Sequence, residues 1–265
     1  MALSKIELEK QKQDRLYSEN YNKQNCLMKI IKYDGVRKVT VQFQDKFKYT
    51  TTTFYKHFLN GSIINPYYPD VLGVGICGTK YPTKINGKNT KEYRTWYNML
   101  LRCYDKKIHE REPTYIQCEC CEEWLLYENF YEWIHSQENF DTISKIEWAL
   151  DKDILIKNNK IYSPNTCCLV PQTINNLFIK SDATRGQYPI GVSYYKNISK
   201  YASQCHDGNK NIYLGVYNTP EEAFYVYKNF KEKLIKNNAK QEYSNHNITK
   251  QCYDAMITYE VEITD

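Results

Sequence analysis

Residues 149–178, ALDKDILIKNNKIYSPNTCCLVPQTINNLF, limit what this chain can build more than any other stretch. Two short apolar runs flank a loop of Lys and Asn and the turn Tyr162-Ser163-Pro164-Asn165. Each run is strand-length, and the segment closes on residues expected to be helical, among them Asn175 and Asn176. Asp151 and Asp153 sit either side of Lys152 at the first run. A strand carboxylate facing a helix amide across such a hairpin can hold one divalent cation. Oxygen ligands suit Mg²⁺ or Mn²⁺, and Mg²⁺ needs only one or two protein carboxylates because it keeps several waters.

The rest of the chain supplies neighbours for that segment. With 265 residues there is room for two or three small domains. Residues 1–25 read as a helical or disordered arm. From Cys26 the period becomes two: LMKIIKY and KVTVQFQD alternate around the turn at Asp34-Gly35, and Lys48–Phe54 continues the pattern. A small antiparallel, barrel-like β module is expected over 26–80. Gly73, Gly75 and Gly78 serve tight bends there and do not form a dinucleotide loop, since no strand–GxGxxG–helix unit surrounds them.

Thr90 can cap a helix whose apolar stripe is Tyr93, Trp96, Tyr97, Leu100, Leu101 and Tyr104. Arg94 and Arg102 lie off the stripe and could reach phosphate. Residues 105–114 read as a charged loop, and Glu122–His135 as a second helix burying Trp124, Phe130 and Trp133. After a linker over 181–186, strands are expected at Pro189–Tyr194, Lys200–Cys205 and Asn211–Tyr217, with a turn at Asp207-Gly208-Asn209. Thr219-Pro220-Glu221-Glu222 then starts a helix, with Thr219 as N-cap, Pro220 at N1 and Glu222 closing a capping box. In the tail, 241–265, ITYEVEIT could add a strand.

Charge is unevenly spread. Residues 1–92 carry 16 Lys/Arg against 8 Asp/Glu, residues 93–178 carry 9 against 13, and the chain is basic again from 179 to Glu242. An acidic centre between basic flanks suits a catalytic site held on a polyanion by its neighbours. No run approaches the ~20 apolar residues of a membrane span, and the N-terminus has no signal-peptide core. The expectation is a cytoplasmic protein with no membrane association. The 10 cysteines are then not a disulfide framework. Cys103, Cys118, Cys121 and Cys167 or Cys168 could form a zinc site. No second Cys-x-x-Cys and no nearby His pair completes it, so buried thiols are the better reading.

The central segment resembles the HNH nuclease superfamily, in the phage and mobile-element branch whose first strand reads Asp-Arg or Asp-Lys where the archetype has Asp-His. The resemblance covers 92–180. It includes Trp96, Met99, Arg102-Cys103-Tyr104, Tyr115, Cys121-Glu122-Glu123-Trp124 and Tyr162-Ser163-Pro164…Cys167. It implies a ββα-metal core with Asp151 and Asn175 as metal ligands and Asp153 as a further ligand or water-orienting group. Lys152 falls at the general-base position. A lysine there acts as a base only if its pKa falls, and otherwise stays charged and stabilises developing negative charge, or the site is inactive. The archetype's mid-loop Asn falls near Thr166, with Asn165 as a possible substitute.

Residues 186–240 resemble the ethylene-response-factor type of DNA-binding domain. The carriers are Gly191-Val192, Tyr201 with its alternating polar neighbours, Leu214-Gly215 and Thr219-x-Glu221-Glu222-Ala223. In that fold the sheet enters the major groove, which implies Tyr194, Lys196, Lys200, Gln204 and Lys210 as DNA contacts. The expectation is therefore an α+β chain of three modules: the N-terminal β module, the HNH-like core and a C-terminal three-stranded sheet plus helix. Its expected activity is metal-dependent, site-specific endonucleolytic cleavage of double-stranded DNA. The alternative is a DNA-binding regulator or inhibitor on a lapsed nuclease scaffold.

Overall fold

The computed structural model describes residues 5–179, 186–208 and 210–264. The class is α+β, with helices and several antiparallel sheets. The chain divides into two compact units, Met1–Ile85 with Leu125–Glu128, and Asn86–Trp124 with Asn129–Asp265. The expected domain 186–240 lies in the second unit, as does the expected domain 92–180 apart from Leu125–Glu128. Most of the linker read at 181–186, and Asn209 of the predicted turn, lie outside the described residues.

In the first unit, helix α1 (Lys5–Arg15) precedes an antiparallel meander of β1 (Glu19–Tyr21), β2 (Leu27–Tyr33), β3 (Val39–Phe43) and β4 (Thr50–Thr53), followed by α2 (Tyr55–Leu59). Alternation in β2 and β3 puts Met28, Ile30, Tyr33, Val39, Val41 and Phe43 on one buried face. Two features depart from expectation. The segment read as an arm supplies the edge strand β1, and among the described residues no pairing joins β4 back to β1, so the sheet is open and not barrel-like. Gly78 has φ +72°, and a Cβ there would lie 2.2 Å from Glu128 Oε1. That oxygen accepts the Thr79 and Lys80 amides, both at 2.7 Å, which gives this helix acid a structural use.

In the second unit, Thr90 caps α3 (Lys91–Tyr104), its hydroxyl accepting the Tyr93 amide. The buried residues of α3 are Trp96, Met99, Leu100 and Cys103, so the core face is rotated from the predicted stripe, and Tyr93, Tyr97, Leu101 and Tyr104 are only half-buried. The expected loop at 105–114 contains a short helix, α4 (Lys106–Arg111), because Asp105 caps it through the Ile108 amide. The predicted helix 122–135 is split. A 3₁₀ turn over Glu122–Leu125 precedes α5 (Tyr127–Ser136), with Leu126 bridged to Ile76 in between.

Short strand β5 (Glu119–Cys120) pairs in parallel with β7 (Ile161–Tyr162). After α6 (Phe140–Ile143), strand β6 (Trp148–Asp151) pairs antiparallel with β8 (Cys168–Pro171), which runs directly into α7 (Gln172–Leu177). Asp151 ends β6 opposite Cys168. This is a strand–strand–helix unit, with α7 held by Ile174 and Leu177.

The C-terminal sheet has the order β9 (Val192–Tyr195), β10 (Lys200–His206), β11 (Asn211–Tyr217). Helix α8 (Pro220–Ser244) begins at the full Thr219/Glu222 capping box. Its 25 residues span about 37 Å. The first half packs Phe224 and Tyr227 on Cys205 of the sheet, with Val192 against the same cluster. The second half packs Ile235 and Ala239 on β8, α7 and α9 (Lys250–Ile257). Gly191 (φ +78°) admits no Cβ, which would fall 2.1 Å from the Tyr227 ring. The predicted tail strand is not formed. Its first residues end α9, and Tyr259 and Val261 insert into the apolar clusters without a strand partner among the described residues.

Candidate metal centre and nucleic-acid interface

The hairpin order places Asp151 at the end of β6, and α7 follows β8 without a loop, so strand and helix side chains converge. A cavity of about 250 Å³ is lined by Asp151, Lys152, Asp153 and Asn175 together with Arg102 and Tyr162. These six come from α3, β6 and its continuation, β7 and α7. The four central candidates are therefore brought together.

Asp151 is 9% exposed. Its Oδ1 accepts the amides of Asp153 and Ile154, both at 2.7 Å, which fixes the carboxylate against its own turn. Burial pushes this carboxyl up from the usual range, and the two backbone hydrogen bonds only partly oppose it. Among the described residues neither Asp151 Oδ2 nor the Asn175 side chain has a hydrogen-bond partner, so both keep acceptor capacity at the cavity.

Lys152 is 8% exposed and held by two hydrogen bonds. Its Nζ lies 2.7 Å from Asp153 Oδ2 and donates to the Asn159 carbonyl at 2.7 Å. These are the contacts of a donor, and a general base needs a lone pair in their place. Asp153 is the open carboxylate, its side chain 45% exposed.

Loop 152–167 is pinned by two residues. Asn159 Nδ2 donates to the carbonyls of Lys152 (2.9 Å) and Ile161 (2.7 Å). Thr166 Oγ1 donates to the Ile161 carbonyl at 2.6 Å and lies 2.9 Å from Ser163 Oγ. Thr166, where the resemblance puts the mid-loop Asn, thus helps Asn159 hold the loop, while Asn165 is exposed. Arg102 lines the cavity beside Tyr162 and lies 5.5 Å over the Tyr115 ring, so it forms part of the cavity wall. Arg94 is exposed on α3 and does not line the cavity. Thr95, Asn98, Trp148 and Gln172 do line it and were not foreseen. The only sequence signal for the first two was their spacing with Arg102 along one side of α3.

Burial pushes the Cys103 and Cys167 thiols up to about 12, Cys120 further still, and raises Cys118 and Cys121. Cys103, Cys118, Cys120 and Cys167 are buried, as small apolar groups are. Among the described residues no group of three or more His, Cys, Asp or Glu is arranged to hold a metal ion. The donor set at the cavity is two carboxylates and an amide oxygen, hard ligands of the kind that suit Mg²⁺ or Mn²⁺.

On the C-terminal sheet, the pairs Val192↔Ser203 and Tyr194↔Tyr201 point one way, and Ser193↔Ala202 and Tyr195↔Lys200 the other. Val192 and Cys205 pack against α8, so Lys200 and Gln204 are on the outer face and Tyr194 is not. Tyr194 joins Tyr188 and Tyr201 in an aromatic cluster on the helix side, which corrects its expected place on the outward face. Tyr195 takes the outer position and accepts from Gln204 Nε2 at 2.9 Å. Lys196 and Lys210 are exposed in the two turns at the sheet ends, and Tyr213, 57% exposed, completes the face.

No family model, no curated protein and no solved structure matches this chain. No helix among the described residues is long and apolar enough to cross a membrane.

Proposed function

We propose that this chain is a metal-dependent DNA endonuclease of the HNH type that hydrolyses one phosphodiester bond at the β6–α7 cavity. The observation that carries the reading is the convergence of Asp151, Asp153 and Asn175 on one open cavity, with Lys152 buried beneath them as a donor. Asp151 and Asn175 would hold the cation, which supplies Lewis-acid polarisation of the phosphoryl oxygen. Asp153 accepts the proton of the attacking water, being the accessible carboxylate. Lys152 fixes Asp153 and adds positive charge near the developing negative charge on phosphorus. The outer face of the C-terminal sheet, with Lys200, Gln204, Lys196 and Lys210, binds double-stranded DNA by backbone and base-edge contacts.

One observation favours a second reading. Lys152 occupies the base position in a form unsuited to a base, as expected of a DNA-binding regulator or inhibitor whose catalytic site has lapsed. Nicking of supercoiled plasmid separates the two. The proposal expects nicking in Mg²⁺ or Mn²⁺ that is lost in Asp151→Ala. Binding without nicking under all divalent conditions supports the regulator. Nicking that survives Asp151→Ala refutes the site.

A further inference from the structure

The carboxylates border a second, larger cavity of about 460 Å³, which shares Asp151, Lys152, Asp153 and Asn175 with the first. Two kinds of side chain complete its lining. One set is Arg111, Lys157 and Lys160. Each is tethered by its head group: Lys160 Nζ donates to the Thr114 carbonyl at 3.1 Å, Lys157 Nζ to the Glu260 carbonyl at 3.1 Å, and Arg111 Nε and Nη2 to Glu112. An ammonium has three donors and a guanidinium five, so the tethers of Lys160 and Arg111 place them without exhausting them. The other set is apolar and aromatic. Phe178 and Tyr259 meet edge to face at 5.0 Å, beside Ile179, which is 58% exposed. Lys157 lies 5.4 Å over the Tyr259 ring and steadies it.

Cations and aromatic rings lining one cavity match the two chemistries of an unpaired nucleotide, a charged phosphate and a flat apolar base. A cavity of this size takes a nucleotide and excludes a double helix. We propose that it holds an unpaired nucleotide next to the cleaved phosphate, with the phosphate on Lys160 and Arg111 and the base against Tyr259 and Phe178. The inference rests on the nuclease reading above and deepens it, because it requires the duplex to open locally beside the cut. Tyr259 comes from the segment after α9, so the tail completes the groove.

The test uses the full chain without divalent cations, so that hydrolysis plays no part. A single-stranded oligothymidylate carrying 5-iodouracil is irradiated with the wild-type protein, and the crosslinked peptide is mapped. The expected adduct is on Tyr259 or Phe178, and adducts confined to other regions, or none at all, overturn the inference. Fluorescence anisotropy with the same oligonucleotide should show affinity about tenfold weaker for Tyr259→Ala, with recovery in Tyr259→Phe. Lys160→Ala should reduce the salt slope by about 0.7. Unchanged affinity and slope would also overturn it. Crosslinking elsewhere while Asp151→Ala abolishes nicking sinks the nucleotide subsite alone. Crosslinking at Tyr259 while Asp151→Ala still nicks sinks the metal site alone.

Discussion

The β6–α7 cavity and the outer face of the C-terminal sheet use similar polar side chains in opposite ways. At the cavity the charges are turned inward: Asp151 and Lys152 are under 10% exposed, and backbone amides, a carbonyl and Asp153 fix their atoms. On the sheet, Lys196, Lys200 and Lys210 extend into solvent, with only Gln204 tied to Tyr195. Buried, fixed polar groups lose little entropy when they act but make the fold sensitive to their removal. Displayed groups cost the fold almost nothing and suit a partner met over a wide surface. The same contrast recurs on α8, where Lys231 sits in the buried row Ala223–Tyr227–Lys231–Ile235–Ala239 with no hydrogen-bond partner among the described residues.

The contrast can be broken by substitution, and the largest effect is expected at Asp151. Asp151→Ala should lower plasmid nicking by at least about a hundredfold, and a loss under threefold would remove the cavity from the chemistry. In the cation-free protein Asp151→Asn should raise the thermal midpoint, because burial holds the carboxyl above its usual range and its ionised form strains the fold at neutral pH. The same variant should lose any stabilisation by Mg²⁺. Lys152→Ala should destabilise by about 1–3 kcal/mol in urea unfolding, since it leaves the Asn159 carbonyl and Asp153 without their donor. A change as small as that of a surface lysine would contradict the inward-facing half of the comparison.

Much of the local structure was legible, and the reasons are local too. Capping at Thr90 and Thr219, alternation in β2, β3 and β11, and the strand–turn–strand–helix order from Ala149 to Phe178 depend on neighbours within a few residues. What failed depended on distant packing. Tyr194 and Tyr195 are adjacent tyrosines, so either parity gives the same pattern, and only the register with Lys200 decides which faces out. The α3 stripe was rotated because Met99 and Cys103 are buried while the tyrosines, which carry a polar hydroxyl, stay half-buried, and Thr95 and Asn98 acquire a role only once β6 and α7 are in place. The tail strand failed because alternation alone creates no pairing partner, and Thr249 caps a helix just upstream.

Smaller effects sharpen the same comparison. Lys231→Met should stabilise the chain by about 1–3 kcal/mol at neutral pH, because burial lowers the lysine below its ordinary value, with Cys205 only slightly opposing. The folded pKa lies below the unfolded one, so the wild type loses stability as pH falls from about 10 toward the folded value. Lys231→Met should flatten that part of the stability–pH curve, and an unchanged curve would mean that the ammonium is already solvated. Lys200→Ala should change stability by less than about 0.5 kcal/mol. It should also lower the salt slope of duplex binding by about 0.9, and an unaltered slope would take the outer face out of the DNA contact.

The most direct test is a Mn²⁺ titration of the full chain followed by electron paramagnetic resonance, with and without the β6–α7 ligands. The account predicts one bound Mn²⁺ per chain, abolished in Asp151→Ala and weakened in Asn175→Ala. Equal stoichiometry and affinity in wild type and Asp151→Ala would contradict it.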